Sequence, residues 1–151
     1  RIYLGAGREH AIDVRSADGR LLRSLRVDRD PAPVTDDLRD AYVRAQLEEA
    51  EDAEERRSLR RTYAEMPFGD RMPAYTDLLV DEAGNLWVEE YRPPYEEGPV
   101  AWTVLDPRGC LLGRLETPEG LTVFQVGDDF LLGVATDALG VEPVQLWSLE
   151  R

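Results

Sequence analysis

Apolar and polar positions alternate in two textures along the chain. Residues 1–29 and 75–151 are short apolar runs broken by Gly, Asp, Asn and Pro, a pattern that predicts many short strands joined by turns. Residues 35–65 are polar and charged, with apolar positions at helical spacing. The central strand-rich stretch predicts four strands, at Tyr75–Asp81, Asn85–Tyr91, Ala101–Asp106 and Leu111–Thr117. The stretch after it predicts three, at Leu121–Val126, Phe130–Ala135 and Val144–Leu149. The opening stretch also predicts three, at Arg1–Ala6, Ala11–Arg15 and Leu21–Val27. Asp81-Glu82-Ala83-Gly84-Asn85 and Asp106-Pro107-Arg108-Gly109 read as hairpin turns, their glycines supplying the positive φ that a tight reversal needs.

These strand groups repeat. Residues 14–25 lie over residues 104–115 without a gap, so that Gly19 falls on Gly109 at an offset of 90 residues. Residues 78–88 lie over residues 123–133 at an offset of 45, with Leu78 on Val123. A period of roughly 40–45 residues with four strands per unit is the signature of a β-propeller blade. The expected fold class is therefore all-β: a partial β-propeller of about three antiparallel blades with a helical insertion. Its parts are an incomplete blade at 1–29 holding the second to fourth strands, the insertion at 30–74, a complete blade at 75–118, and a last blade at 119–151 that lacks its outer strand. Propellers commonly complete that last blade with a strand from the other end of the chain, which removes the open edges. On this expectation Arg151 is a natural C-terminus, Arg1 is a point of truncation, and the isolated chain associates through its exposed blade faces.

In the insertion, Thr35 is a suitable N-cap, followed by Asp36 and Asp37 at the positive end of the helix dipole. Leu38, Tyr42, Val43, Leu47 and Ala50 form one apolar stripe. The polar run 51–55 predicts a pause, after which Leu59, Tyr63 and Met66 form a second stripe that Pro67 ends. The insertion joins the outer strand of one blade to the inner strand of the next. That connection emerges on the same face as the loops between second and third strands, so a helical hairpin there stands over the mouth where propeller ligands are met.

Composition narrows the function classes. The 151 residues are 42% hydrophobic and 32% charged, a globular balance, and no run approaches the roughly 18 apolar residues of a membrane span. The net charge is −13 and all 18 basic residues are arginine; so acidic a chain without a basic patch repels phosphate backbones, which argues against nucleic acid as a partner. Cys110 is the only cysteine and His10 the only histidine, which excludes an internal disulfide and thiolate or histidine-rich metal clusters.

Candidate chemistry concentrates after the second strand of the central unit. Adjacent strand residues point to opposite sides, so Glu89 and Glu90 do not converge; Glu89 shares a side with Trp87 and Tyr91 and is the better candidate. The loop 92–99 is stiffened by prolines, and Tyr91, Arg92 and Tyr95 are residue types favoured at contact surfaces. Arg71 and Tyr75 enter the same blade from the insertion and complete the candidate ligand-binding set: Trp87, Glu89, Tyr91, Arg92, Tyr95, Arg71 and Tyr75. Asp81 with Asn85, and Asp128 with Asp129, read as turn chemistry rather than as metal ligands, and the recurring Trp87, Trp102 and Trp147 as packing between sheets. His10 has no partner nucleophile or orienting acid. No catalytic residue, metal site or cofactor is assigned.

A further set of residues stands in a recognisable order: Met66-Pro67-Phe68, Pro73-Ala74-Tyr75, Leu78-Leu79-Val80-Asp81, Gly84-Asn85-Leu86-Trp87-Val88, Trp102-Thr103-Val104, Gly127-Asp128-Asp129, Leu132-Gly133-Val134 and Asp137-Ala138-Leu139-Gly140. In these the chain resembles the C-terminal part of uncharacterised bacterial six-bladed β-propeller proteins related to the NHL-repeat group. The resemblance covers residues 66–151 and, more loosely, 1–35. It implies six blades and an exported or envelope-associated parent, and no particular activity, since a fold of this kind hosts many. Two functions follow as expectations. The first is a non-catalytic binding propeller that recognises a protein, peptide or glycan, with the other blades of the parent as further partners. The second is a metal-dependent hydrolase or lyase of the lactonase-like kind, which needs several acidic or amide side chains converging in the channel, where the inner strands offer only Asp77.

Overall fold

The structure, a computed structural model, describes residues 1–6, 11–26, 32–93, 95–136 and 140–149. Those residues form ten strands and two helices. Strands β1 (Ile2–Gly5), β2 (Ala11–Arg15) and β3 (Leu21–Arg26) make a three-stranded antiparallel sheet. After helices α1 (Asp36–Glu48) and α2 (Ala53–Glu65) comes a four-stranded sheet. It is the consecutive meander β4 (Tyr75–Val80), β5 (Leu86–Glu90), β6 (Val100–Leu105) and β7 (Leu111–Thr117). Strands β8 (Leu121–Val126), β9 (Phe130–Ala135) and β10 (Val144–Ser148) make the third sheet. The expected strands thus form at their expected places, each end coinciding or moving by a single residue; Val27, the expected end of the third, lies outside the described residues.

Three of the hairpins close by one repeated device. In Ser16–Arg20, Asp81–Asn85 and Asp106–Cys110 the fourth residue is a glycine with φ of +86°, +84° and +91°. Its N–H donates to the carbonyl of the first residue at 2.8–2.9 Å. A side chain with an L configuration is strained at that φ, which is why the position takes glycine. In the second and third of these turns an aspartate fixes the reversal as well. Asp81 accepts from the Asn85 N–H and amide at 2.8 Å each, and Asp106 from the Arg108 and Cys110 N–H groups at 2.8 Å each. The repeat extends into the ladder, since the register shifts between Val14 and Arg15 and again, 90 residues later, between Val104 and Leu105.

The inner strands of the middle sheet, β5 and β6, are covered on both faces. On one side Leu86, Val88 and Leu105 pack with Ile12, Val14 and Leu25 of the first sheet. On the other, Trp87, Trp102 and Val104 pack with Leu121, Val123, Val126 and Leu131 of the third. Strict alternation on β5 distributes its side chains between these cores, which is why a continuous run, Leu86-Trp87-Val88, is buried throughout. Trp102 is 1% exposed, donates Nε1–H to Thr117 Oγ1 at 3.1 Å, and meets Trp87 edge-on at 6.3 Å. Polar ties cross the sheets: Arg23 donates to the Pro107 carbonyl, and Gln125 Nε2 to Glu82 Oε1 at 3.4 Å. The leading strands β4 and β8 also come into contact. The outward faces of the flanking sheets expose Ile2 and Leu4 at one end and Phe124, Val144 and Leu146 at the other.

The insertion folds differently from the sheets. Neither helix has a fully buried residue. Thr35 caps α1 by accepting from the Leu38 N–H at 3.3 Å, and Asp52 caps α2 by accepting from the Glu54 and Glu55 N–H groups at 2.8 Å. Asp52 thereby explains the predicted pause at 51–55 as a second helix start. The helices are joined by Tyr42 against Tyr63, edge-on at 5.8 Å, and by Tyr63 Oη to Gln46 at 3.2 Å. No helix among the described residues is long and apolar enough to cross a membrane.

Because Trp102 fills the centre of the second core, Trp102→Ala should destabilise the chain by about 3–5 kcal/mol. Gly133→Ala should also be costly, since a Cβ there would lie 2.5 Å from the Thr122 backbone carbonyl oxygen on the neighbouring strand. Chemical denaturation of both variants beside Gly19→Ala tests this. A Cβ on Gly19 meets nothing within 4 Å, so that variant carries only the backbone strain, about 1–2 kcal/mol. A Gly133→Ala chain as stable as Gly19→Ala would contradict the close approach.

Candidate functional site

The chain enters and leaves the insertion through two segments zipped together. Pro33 bridges Arg71, the Val34 N–H donates to the Asp70 carbonyl at 3.0 Å, and the Met72 N–H to the Ala32 carbonyl at 2.8 Å. This stalk places α1 over the end of the middle sheet from which the β5–β6 loop projects. Between them is a cavity of about 850 Å³, within the range of small-ligand and peptide side-chain sites.

Three segments wall the cavity. Helix α1 supplies Leu38, Arg39 and Tyr42, which share a face by helical spacing. The descending strap 66–73 supplies Met66, Phe68, Arg71 and Met72. The β5–β6 loop supplies Tyr91 and Tyr95. Four aromatic rings therefore reach one volume from three parts of the sequence. Phe68 is central: Tyr42 meets its ring edge-on at 6.2 Å, and the guanidinium carbon of Arg39 lies 4.7 Å from its centroid. That stacking fixes the arginine by a cation–π contact. Tyr95 Oη is 3.5 Å from the Leu38 carbonyl, a weak tie between loop and helix.

The electrostatics of the cavity run against those of the chain. The whole carries −13, whereas the charged lining residues are Arg39, Arg71 and Asp70. Burial pushes the Tyr91 hydroxyl above the usual tyrosine range, and Tyr95, Tyr42 and Glu96 push it further the same way. Burial and then Glu96 raise Tyr95 likewise. The tyrosines are thus held as neutral phenols, each able to donate and accept a hydrogen bond.

Of the seven residues proposed from sequence, Tyr91, Tyr95 and Arg71 are brought together on this cavity. Arg92 lies beside it in the same loop but is turned to the loop's own backbone, donating to the Gly98 carbonyl, with Glu119 4.0 Å away. The structure places the other three elsewhere. Trp87 is 3% exposed in the second core, donating Nε1–H to Asp81 at 3.2 Å. Tyr75 is buried in the first core against Gly5. Glu89 accepts from Thr76 Oγ1 at 2.7 Å on its own sheet. Its neighbour Glu90 points the opposite way, into a bond from Thr103 Oγ1 at 2.9 Å and a bridge to Arg114. Gly7, Arg8, Glu9, His10 and Pro94 lie outside the described residues, as do Asp137, Ala138 and Leu139.

Arg39, Tyr42, Phe68, Met66 and Met72 were not legible as site residues. Tyr42 belongs to a stripe that also fits a buried helix face, and Met66-Pro67-Phe68 reads first as a helix stop. The available signal was their density: Met, Phe, Arg and Met within seven residues of strap that connects elements without being one. Among the described residues no three His, Cys, Asp or Glu side chains come together as a metal site. Searches against protein-family models, curated proteins and solved structures find no match to this chain.

The raised Tyr91 value has a consequence for stability. Folding favours the neutral phenol, so its contribution is complete below the unfolded value of about 10 and is lost as pH rises through the higher folded value. Replacing Tyr91 by Phe should therefore flatten the alkaline limb of a stability–pH profile while leaving its shape between pH 6 and about 9 unchanged. Parallel alkaline limbs in the two proteins would contradict the assignment.

Proposed function

We propose that this chain is a non-catalytic binding module, built as part of a β-propeller, that recognises a segment of a protein or peptide partner in the cavity beneath the helical insertion. The observation that carries the proposal is the meeting of Tyr42, Phe68, Tyr91 and Tyr95 on one open volume, each from an element that could have packed elsewhere. Aromatic side chains of this kind provide large contact area at low cost in side-chain entropy. The remaining lining includes Val34, Leu38, Met66 and Met72, which suits an apolar side chain better than the dense hydroxyls of a glycan. Methionines adapt their shape to what they contact.

The propeller part of the reading is supported by three antiparallel sheets packed face to face, by their repeated hairpin, and by the contact of leading strands β4 and β8. In that reading further blades cover the apolar faces around Ile2 and Leu4 and around Val144 and Leu146, and the parent is exported or envelope-associated. The cavity then lies where the connection between blades and the β5–β6 loop share one face of the ring. The metal-dependent alternative has less support, because among the described residues acidic side chains do not converge on the inner strands.

A displayed library of random peptides selected on the immobilised chain tests the proposal. Enriched peptides should lose about ten-fold or more in affinity on Phe68→Ala or Tyr95→Ala, as expected for truncating an aromatic anchor, and keep it on Trp147→Ala. Peptides indifferent to both cavity substitutions would overturn it.

A further inference from the structure

Resting on the peptide-binding reading just given, we infer that the segment this cavity takes is a free peptide C-terminus whose last residue is apolar or aromatic, its α-carboxylate held by Arg39. Arg39 and Phe68 stand together on the cavity wall. The guanidinium carbon lies 4.7 Å from the ring centroid, so a cation and an apolar surface stand side by side at one point of the wall. A ligand group that satisfies both must carry a negative charge within a few ångströms of an apolar side chain. The α-carboxylate of a terminal residue is one bond from the Cα that bears the side chain and meets this condition. An acidic side chain beside an aromatic residue in mid-chain places its charge farther from the neighbouring ring.

Charge and burial agree with this. Arg39 is half-buried, and among the described residues no carboxylate lies within ion-pair distance of it; it stacks on the Phe68 ring. An arginine stacked on an aromatic ring keeps its N–H fork available at the edge for a bidentate carboxylate. Arg71 and Asp70 line the same volume. Tyr91 and Tyr95 line the same cavity and add polar hydroxyls to it. The −13 charge of the whole chain selects against polyanions at long range, so a single carboxylate on an otherwise neutral or basic segment is the favoured anion.

The test uses N-acetylated tetrapeptides ending in Phe, Tyr, Trp or Leu, each as free acid and as C-terminal amide, titrated into the full chain by calorimetry. At least one free acid should bind about ten-fold more tightly than its amide, as expected for a charge-assisted bidentate contact. Arg39→Gln should remove that difference between acid and amide, and Arg39→Lys should keep part of it. Equal binding of acid and amide, or a difference that survives Arg39→Gln, overturns the carboxylate assignment and leaves the peptide-binding reading in place. Failure of every tetrapeptide to bind in either form up to millimolar concentration overturns both. N-acetyl-phenylalanine binding as tightly as the best tetrapeptide would also sink the inference, by showing that the ligand is a small aromatic acid and not a peptide end.

Discussion

Burial of the middle sheet on both faces is the constraint on which the rest of the structure depends. A strand with one dry face can alternate apolar and polar residues; β5 cannot, and its Leu86-Trp87-Val88 commits successive side chains to two different cores. Polar groups carried into those cores must then be satisfied internally, because an unpaired one costs roughly 1–3 kcal/mol. Most are, the Tyr75 hydroxyl being an exception: Asp81 takes the Asn85 amide and the Trp87 indole, Glu90 takes Thr103 and Arg114, and Thr117 takes the Trp102 indole. These bonds fix the two tryptophans and the end of β5, and therefore the point at which the β5–β6 loop departs.

The site is mounted on that rigid end but is not itself built like it. One wall, Tyr91, follows directly on β5. The opposite wall is a helix with no fully buried residue, held by its cap, the edge-on contacts of Tyr42 and the stalk between 32–34 and 70–72. Local opening free energies track such differences in burial. The cavity therefore has one wall fixed in the middle sheet and one held by fewer buried contacts.

Much of the fold could be read from sequence because its determinants are local. Glycine at the fourth position of three hairpin turns, aspartate at the first position of two of them, and apolar runs of strand length located all ten strands within a residue or so. The offset of 90 residues reappears as the same ladder shift at Val14 and Val104, so that repeat is one of backbone geometry as well as of letters. The site was only partly legible. Tyr91, Tyr95 and Arg71 stood out by residue type, yet so did Trp87 and Tyr75, which are equally good contact residues by composition and are buried in the two cores. What separates them is which side of the sheet each faces and what covers it, and that depends on pairings across the whole chain. Phe68 and Arg39 were invisible for the same reason: they lie 29 positions apart, and the stalk that brings them together is a short bridge between two segments without strand character.

Site-resolved amide hydrogen exchange under native conditions tests the two-sided burial most directly. Amides of β5 and β6 should exchange only through global unfolding and carry the full stability of the chain, while those of α1 and α2 open locally and exchange far sooner. Exchange in β5 and β6 as fast as in the helices would show that the middle sheet is not enclosed, and the account built on it would fail.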